Sequence, residues 1–293
     1  MSDAMSTESA FIETLRRLTR DPAARGLADD AAVLEFGGEA LVLTHDAMVE
    51  GTHYLAGQDP ADVAWKLVAT NISDLAAKGA EPVGVLLGYK LGRDDTRFLE
   101  GLEEAIDHFG APLLGGDTVG GGGPQVLGLT AIGRATHRPV PSRAGMRVGD
   151  ALWITGAVGA AMIGFEALRD GTGADSRAYR RPEALVAEGR ALAPHVSAMM
   201  DVSDGLLIDA RRMAHASGVT IAIDAARVPI AAPEARRDEA LRWGDDYALL
   251  FALPPGHEPP IAAVRIGAAL PPGPARLLLD GVDAGEAGLG YEH

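Results

Sequence analysis

The residues of this sequence best equipped for chemistry are aspartates that recur in one setting. Asp30 in LADDAAVL, Asp46 in LVLTHD, Asp74 in NISDLAAKGA, Asp117 in LLGGDT, and Asp201 and Asp204 in MMDVSDGL each interrupt or end an apolar run, with Gly, Thr or Ser close by. A carboxylate inside a buried element is costly unless it is paired or bound to metal. Carboxylates delivered by strand tips to one crevice are hard oxygen ligands of the kind Mg²⁺ takes, and Mg²⁺ keeps room for waters and substrate phosphate oxygens. Any one of these residues has a second reading, as a turn or helix-cap Asp. Asp204, for example, stands where a helix from about residue 205 needs a cap.

Other candidates are weaker one by one. GGDTVGGGG (115–123) could cradle a phosphate with backbone N–H groups. GxxxxGK followed by Ser or Thr is absent, as are HExxH, GxSxG and a post-strand GxGxxG. The chain has 0 cysteines. Thiol catalysis, disulfides and Cys-ligated metals are excluded, and covalent catalysis has no obvious nucleophile. What remains is metal-held positioning of an anionic substrate. His53, in VEGTHYL, could meet such a substrate or be structural, and His45 could ligate metal or fill a polar site. Lys78 and Arg143 could meet phosphate or be ordinary basic residues. Asp245 in WGDDYALLF could face a site or sit at a hairpin corner.

Composition narrows the partners. The formal net charge is −15 and aromatics are 5% of the 293 residues. Both oppose nucleic acid, and the charge opposes an anionic membrane surface. An anionic small substrate is compatible if metal ions supply the balancing charge. No apolar run approaches the roughly 18–20 residues of a membrane span or resembles a signal peptide. The expectation is a soluble cytoplasmic protein.

The elements that must position these residues alternate. Helical periodicity covers 8–19, and a helix capped by Asp59-Pro60 runs to about Lys78 and stops at Gly79. Strands are expected at 40–46, 82–91, 111–117 and 125–135, with a helix over 96–109 ending at Gly110. HRPVPSRAGMRVGD (137–150) has no periodicity and marks a domain junction. Beyond it come a strand at 151–156 with a helix after it, helices at 182–192 and 203–216, and strands near 196–200, 219–223 and 246–253. The fold class is mixed α/β in two domains, 1–137 and 138–293.

The ordered series LADDAAVL, LTHDAMVEGTHY, NISDLAAKGA, LLGGDTVG, SRAGMRVGDALWITG, DVSDGLLIDARRMAHASG, WGDDYALLF and GLGYEH resembles the thiamine-monophosphate kinase family. That family shares a superfamily with aminoimidazole ribonucleotide synthetase and selenophosphate synthetase. The resemblance spans about residues 8–293. It implies the two-domain aminoimidazole ribonucleotide synthetase-like fold, with N-terminal sheets pairing in a homodimer. It also implies Mg²⁺ ions and ATP-dependent phosphorylation of thiamine monophosphate. By motif position, Asp30, Thr44, Asp46, Asp74, Asp117, Asp201 and Asp204 would bind Mg²⁺. Gly116, Asp117, Arg143 and Ser203 would touch ATP, and His53, Asp245 and Tyr291 would line the thiamine monophosphate site. Asp209 gains no role and reads as a helix-surface residue. This chain departs from the family pattern at His45, at Lys78 where Met is usual, at Trp243 in place of Gly, and at Ala248 in place of Glu. An ATP-dependent synthetase of the superfamily, or a catalytically silent nucleotide-binding homologue, are the alternatives.

Overall fold

The computed structural model describes residues 8–292. Five strands form the first sheet: β1 (Ala32–Phe36), β2 (Glu39–Val49), β3 (Ala80–Lys90), β4 (Leu113–Val119) and β5 (Val126–Ala135), in the order β1-β2-β5-β3-β4. All neighbours are antiparallel except β3 and β4. The second sheet has seven: β6 (Ala151–Ile154), β7 (Ala198–Asp201), β8 (Thr220–Ile223), β9 (Leu249–Leu253), β10 (Val264–Leu270), β11 (Leu277–Leu279) and β12 (Val282–Asp283), in the order β12-β11-β8-β10-β6-β9-β7. The helices are α1 (Glu8–Arg16), α2 (Pro60–Ala77), α3 (Asp95–Phe109), α4 (Ala160–Arg169), α5 (Arg177–Arg180), α6 (Val186–Leu192), α7 (Leu206–Ser217) and α8 (Arg237–Arg242). The mixed α/β class expected from the sequence is what forms.

Helix α2 organises the molecule. Asp59 accepts the Ala61 N–H at 3.0 Å, Pro60 opens the first turn, and Gly79 at φ +59 ends the run. Its Leu67, Val68, Ile72 and Leu75 belong to one core with Val42, Val85, Leu127 and Leu129 of β2, β3 and β5. Its last residues, Ala76 and Ala77, belong to another core, with Trp153, Met199, Leu249 and Phe251 of the second sheet. The C-terminal turn of α2 therefore bridges the two sheets. Strands β7 and β9 are buried throughout because α7 packs the opposite face, through Leu206, Leu207 and Met213 against Met200, Leu250 and Ile221.

Close backbone approach holds that bridge. A Cβ on Gly189 of α6 would lie 2.0 Å from the Ala76 carbonyl oxygen of α2. Gly189→Ala should push the end of α2 off its seat and destabilise the protein by about 1–3 kcal/mol, measured by urea denaturation. An unchanged unfolding midpoint would mean that the two helices can part freely.

Candidate active site at the junction of the two sheets

A cleft of 1630 Å³ runs along that bridge, lined from both sheets. At one end Asp30, from the loop before β1, Asp74, from the last turn of α2, and Asp201, at the tip of β7, place carboxylate oxygens within 4.8 Å of one another. Asp46 and Asp204 line the same cleft. Burial drives Asp46, Asp74 and Asp201 toward the neutral form. It pushes Asp201 up to about 7, aided by the charge on Asp30. It pushes Asp46 up to about 6 and Asp74 well above the carboxylate range, each with help from neighbouring carboxylates.

Local hydrogen bonds fix the geometry. Thr44 donates its hydroxyl to Asp74, and Ser73 donates to Asp201 Oδ2 at 2.6 Å. The Asp46 N–H donates to Asn71 Oδ1 at 3.0 Å. Strand alternation puts Asp46 and Thr44 on the core side of β2 and His45 on the outer side, where its Nδ1 meets Thr130 Oγ1 at 2.9 Å. The His45 ring therefore stands on the face away from the cluster and bears on it only through charge, which favours ionised Asp46. Asp30 Oδ2 is buried without an aligned hydrogen-bond donor. An all-oxygen cluster of carboxylates delivered by three separate segments fits a hard divalent cation.

The run MMDVSDGLLIDA contributes a tightly held turn. Asp204 does not cap α7; the helix starts at Leu206 with no side-chain cap, and the Asp204 carboxylate pairs with Arg212. Asp209 is not a surface residue. It is 0% exposed, its Oδ2 accepts the N–H groups of Ser203 and Asp204 at 3.1 Å each, and its Oδ1 meets Arg212 at 2.9 Å. The turn needs both N–H groups satisfied inside the protein, and an acid one helical turn later supplies the acceptor. Glycines let other segments close on it. A Cβ would stand 2.6 Å from Arg242 O at Gly205, 2.4 Å from Ser203 O at Gly244, and 2.5 Å from Asp204 O at Gly290.

The other end of the cleft is aromatic. Trp243 and Phe165 stack with centroids 5.3 Å apart, and Tyr179 and Tyr247 join them in the wall. Lys66, 2% exposed, holds Asp245 Oδ2 at 2.8 Å, reaches the His53 carbonyl at 3.1 Å and sits 4.0 Å from the Tyr179 ring centre. Asp245 and Tyr247 adopt positive φ of 66° and 52°, and the Tyr247 hydroxyl donates to Asp245 Oδ1 at 2.8 Å. Non-glycine residues held in that region mark a strained segment. Asp246 turns away and accepts the N–H groups of Gly159 and Ala161 at the start of α4. The two acids of WGDDY thus divide between site and scaffold. His53 Nδ1 accepts the Val49 N–H at 3.0 Å, which leaves the ring proton of neutral His53 on Nε2. Tyr291 lines the cleft and anchors its N–H on Asp204 O at 2.9 Å. Ser203 also lines the cleft, whereas Ala248 lies in the core of the second sheet.

Two expectations sit elsewhere. Gly116 and Asp117 lie on the exposed edge strand β4. Asp46, Leu129, Leu87 and Gly116 are successive register partners across β2, β5, β3 and β4. Three strand spacings, roughly 14 Å, therefore separate Asp117 from the neighbourhood of Asp46. Arg143 lines the cleft with its Nε and Nη2 both on Asp30 Oδ1 at 2.5 Å. The residues that sequence reading missed, Lys66 and Thr70, share a signal. Asp62, Lys66, Thr70, Asp74 and Lys78 repeat every four residues along a mostly apolar helix and its cap, and successive members share a face.

Residues 28–135 match the N-terminal domain of AIR synthase related protein, and residues 147–265 match its C-terminal domain. The thiamine-monophosphate kinase of Caulobacter vibrioides is 41% identical over 278 residues, covering 87% of this chain and 78% of that protein. The chain belongs to the thiamine-monophosphate kinase family. The Escherichia coli K12 member is 33% identical over 252 residues, covering 78% of this chain and 76% of its own. AaThiL complexed with AMPPCP and TMP superposes with a TM-score of 0.88 at 26% identity, covering 100% of this chain and 99% of that one. The thiamine-monophosphate kinase of Stenotrophomonas maltophilia K279a gives 0.77 at 31% identity, covering 97% and 99%. No helix among the described residues is long and apolar enough to cross a membrane.

The raised acids set a pH dependence for the metal-free protein. A carboxyl raised from 3.8 to about 7, as Asp201 is, binds its proton more tightly when folded. Its contribution is fully present below the unfolded value and is lost as pH rises through the folded one. In chelator, thermal stability should fall from about pH 4 to pH 7. Asp201→Asn should flatten that fall and melt higher than wild type at pH 8. Equal melting temperatures for the two proteins at pH 8 in chelator would contradict this.

Proposed function

We propose that this chain transfers the γ-phosphoryl group of ATP directly onto the phosphate of thiamine monophosphate, giving thiamine diphosphate and ADP. The observation that carries the reading is the convergence of Asp30, Asp74 and Asp201 at one end of a cleft whose other end is aromatic. Asp30, Asp46, Asp74, Asp201 and Asp204, with the Thr44 hydroxyl, are the residues that would hold several Mg²⁺ ions. Bound Mg²⁺ supplies neutralisation of the facing phosphates and charge stabilisation in phosphoryl transfer.

The chain's own groups do the rest by placement. Arg143 spends Nε and Nη2 on Asp30, which leaves Nη1 for an ATP phosphate oxygen. The Ser203 hydroxyl stands on the held turn, facing the same ligand. The acceptor is a phosphate oxygen already largely ionised near neutral pH, with a second pKa of about 6, so no general base is required. In-line alignment is then the main demand. The thiazolium of the acceptor is a cation, which suits the faces of Trp243 and Phe165 and the Asp245 carboxylate. His53 and Tyr291 complete that wall. With His45 on the outer face of the sheet, that departure lends no support to the reading of a silent homologue.

We read the working unit as a homodimer of two-domain chains, divided at 137/138. Leu34, Phe36, Leu86, Leu113, Leu114, Val119 and Val126 of the first sheet are all exposed apolar residues. An apolar sheet region left uncovered by its own chain calls for a partner layer. A second copy paired there would bring its Gly116 and Asp117 toward the cluster, which those residues cannot reach within one chain.

Purified protein with ATP, Mg²⁺ and thiamine monophosphate should release ADP and thiamine diphosphate in equal amounts; absence of product at saturating Mg²⁺ sinks the assignment. Asp46→Asn should lower turnover by roughly 100-fold or more while preserving the melting temperature. For the dimer, Asp117→Asn and Asp201→Asn should each be inactive alone. Exchanging their subunits should restore activity, on the order of a quarter of wild type, because half of the dimers are mixed and each carries one intact site. No recovery after verified exchange would show that each chain holds a whole site.

A further inference from the structure

Lys78 caps the C-terminus of α2 and is 0% exposed. Its ammonium lies 2.5 Å from Asp29 Oδ1, in ion-pair contact with Asp30 Oδ2, and 3.4 Å from the Met199 carbonyl. Asp29 has a second cation, Arg25, at 2.6 Å, and Asp30 has Arg143 at 2.5 Å. Asp74 and Asp201 instead receive the neutral hydroxyls of Thr44 and Ser73. The cluster is therefore asymmetric: its Asp30 side already carries protein cations, and its Asp74–Asp201 side does not.

Asp30 Oδ2 is also the buried oxygen with no aligned hydrogen-bond donor, and Lys78 is the charge that faces it. An ammonium is compact, has three donors and no fixed coordination geometry. It can balance one carboxylate oxygen where a divalent ion would seek several. We propose that Lys78 is a fixed cation of the metal centre. It commits the Asp30 oxygen that a divalent ion shared with Asp74 and Asp201 would need as a ligand, Arg143 holding the other one, so the chain loads one divalent ion fewer than the same cluster with an apolar residue at 78. It also holds Asp30 in position before any metal enters. Lys78 is thus a positioning residue, tethered and beyond the reach of chelators. The inference rests on reading the carboxylate cluster as a metal centre.

The test counts Mn²⁺ on metal-stripped, full-length protein by electron paramagnetic resonance titration, with and without a non-hydrolysable ATP analogue. Lys78→Met should bind one more Mn²⁺ per chain than wild type, and Lys78→Arg should keep the wild-type count. Lys78→Met should also melt lower than wild type in chelator and recover when Mn²⁺ is added. Equal counts in wild type and Lys78→Met overturn the role of Lys78 but leave the metal centre standing. Absence from wild type of any Mn²⁺ that Asp201→Asn removes overturns both. If Lys78→Met folds neither with nor without Mn²⁺, Asp29→Asn decides. Freed from Asp29, the ammonium is committed to Asp30, and Mn²⁺ affinity should fall about fivefold or more; unchanged affinity overturns the inference.

Discussion

Buried carboxylates that repel one another are the constraint around which this fold is arranged. Asp30, Asp46, Asp74, Asp201 and Asp209 crowd one junction, and burial, with the charge of neighbouring carboxylates, drives Asp46, Asp74, Asp201 and Asp209 toward protonation. Such a cluster persists only if the surroundings supply donors, cations or both. The donors come from distant segments: Thr44 of β2 serves Asp74 of α2, and Ser73 of α2 serves Asp201 of β7. Among the cations, Arg143 reaches Asp30 from far along the chain, while Arg212 meets Asp204 and Asp209 from the same turn and helix. Distant segments must therefore close on the junction. The glycines at 205, 244 and 290 allow that closure, since each sits where a side chain would strike another segment's backbone.

Much of this was legible from residue types. The Asp59-Pro60 start and Gly79 stop of α2, the strand ending at Asp201 and the apolar runs before each acid carry local signals that survive folding. Asp30, Asp74 and Asp201 could be grouped because metal chemistry demands oxygen ligands, whatever the topology. Asp209 was not legible. A carboxylate early in an amphipathic helix looks solvated, and only the tertiary path of the Ser203–Asp204 turn gives it two N–H groups to accept. Lys66 was hidden for a similar reason, because its partner Asp245 lies far away in sequence. Asp117 shows the opposite limit. Its motif is clear, but a motif says nothing about how far the residue lies from the cluster, and strand order decides that.

The two ends of the cleft differ in how they are held. At the acidic end, Asp46, Asp74 and Asp201 stand on β2, α2 and β7, and Asp30 and Asp204 come from the bends beside them. At the aromatic end, Asp245 and Tyr247 are held at positive φ, between Gly244 packed on Ser203 and Asp246 fixed on the start of α4. Strain of this kind persists only when flanking contacts over-determine it, and here they do. Trp243, at the head of that strained run, stacks on Phe165 of α4, whose first N–H groups Asp246 receives. The position and tilt of the aromatic wall are thus tied to the same segment that presents Asp245.

Helix α2 sets the distance between those ends. Lys66, Thr70 and Asp74 all line the cleft, at intervals of four residues along one face. Lys66 holds Asp245 and sits against the Tyr179 ring, and Asp74 belongs to the carboxylate cluster. Eight residues at 1.5 Å each put them roughly 12 Å apart. An α-helix cannot stretch without losing its hydrogen bonds, so this spacing resists change as the cleft fills. A substrate bound at the aromatic end must therefore reach the acidic end with its own length. On the proposed reaction, a phosphorylated acceptor with a ring at one terminus would set its two ends on the two anchors, and a rigid separation between chemically different anchors would select for it with no contact dedicated to rejecting a shorter molecule.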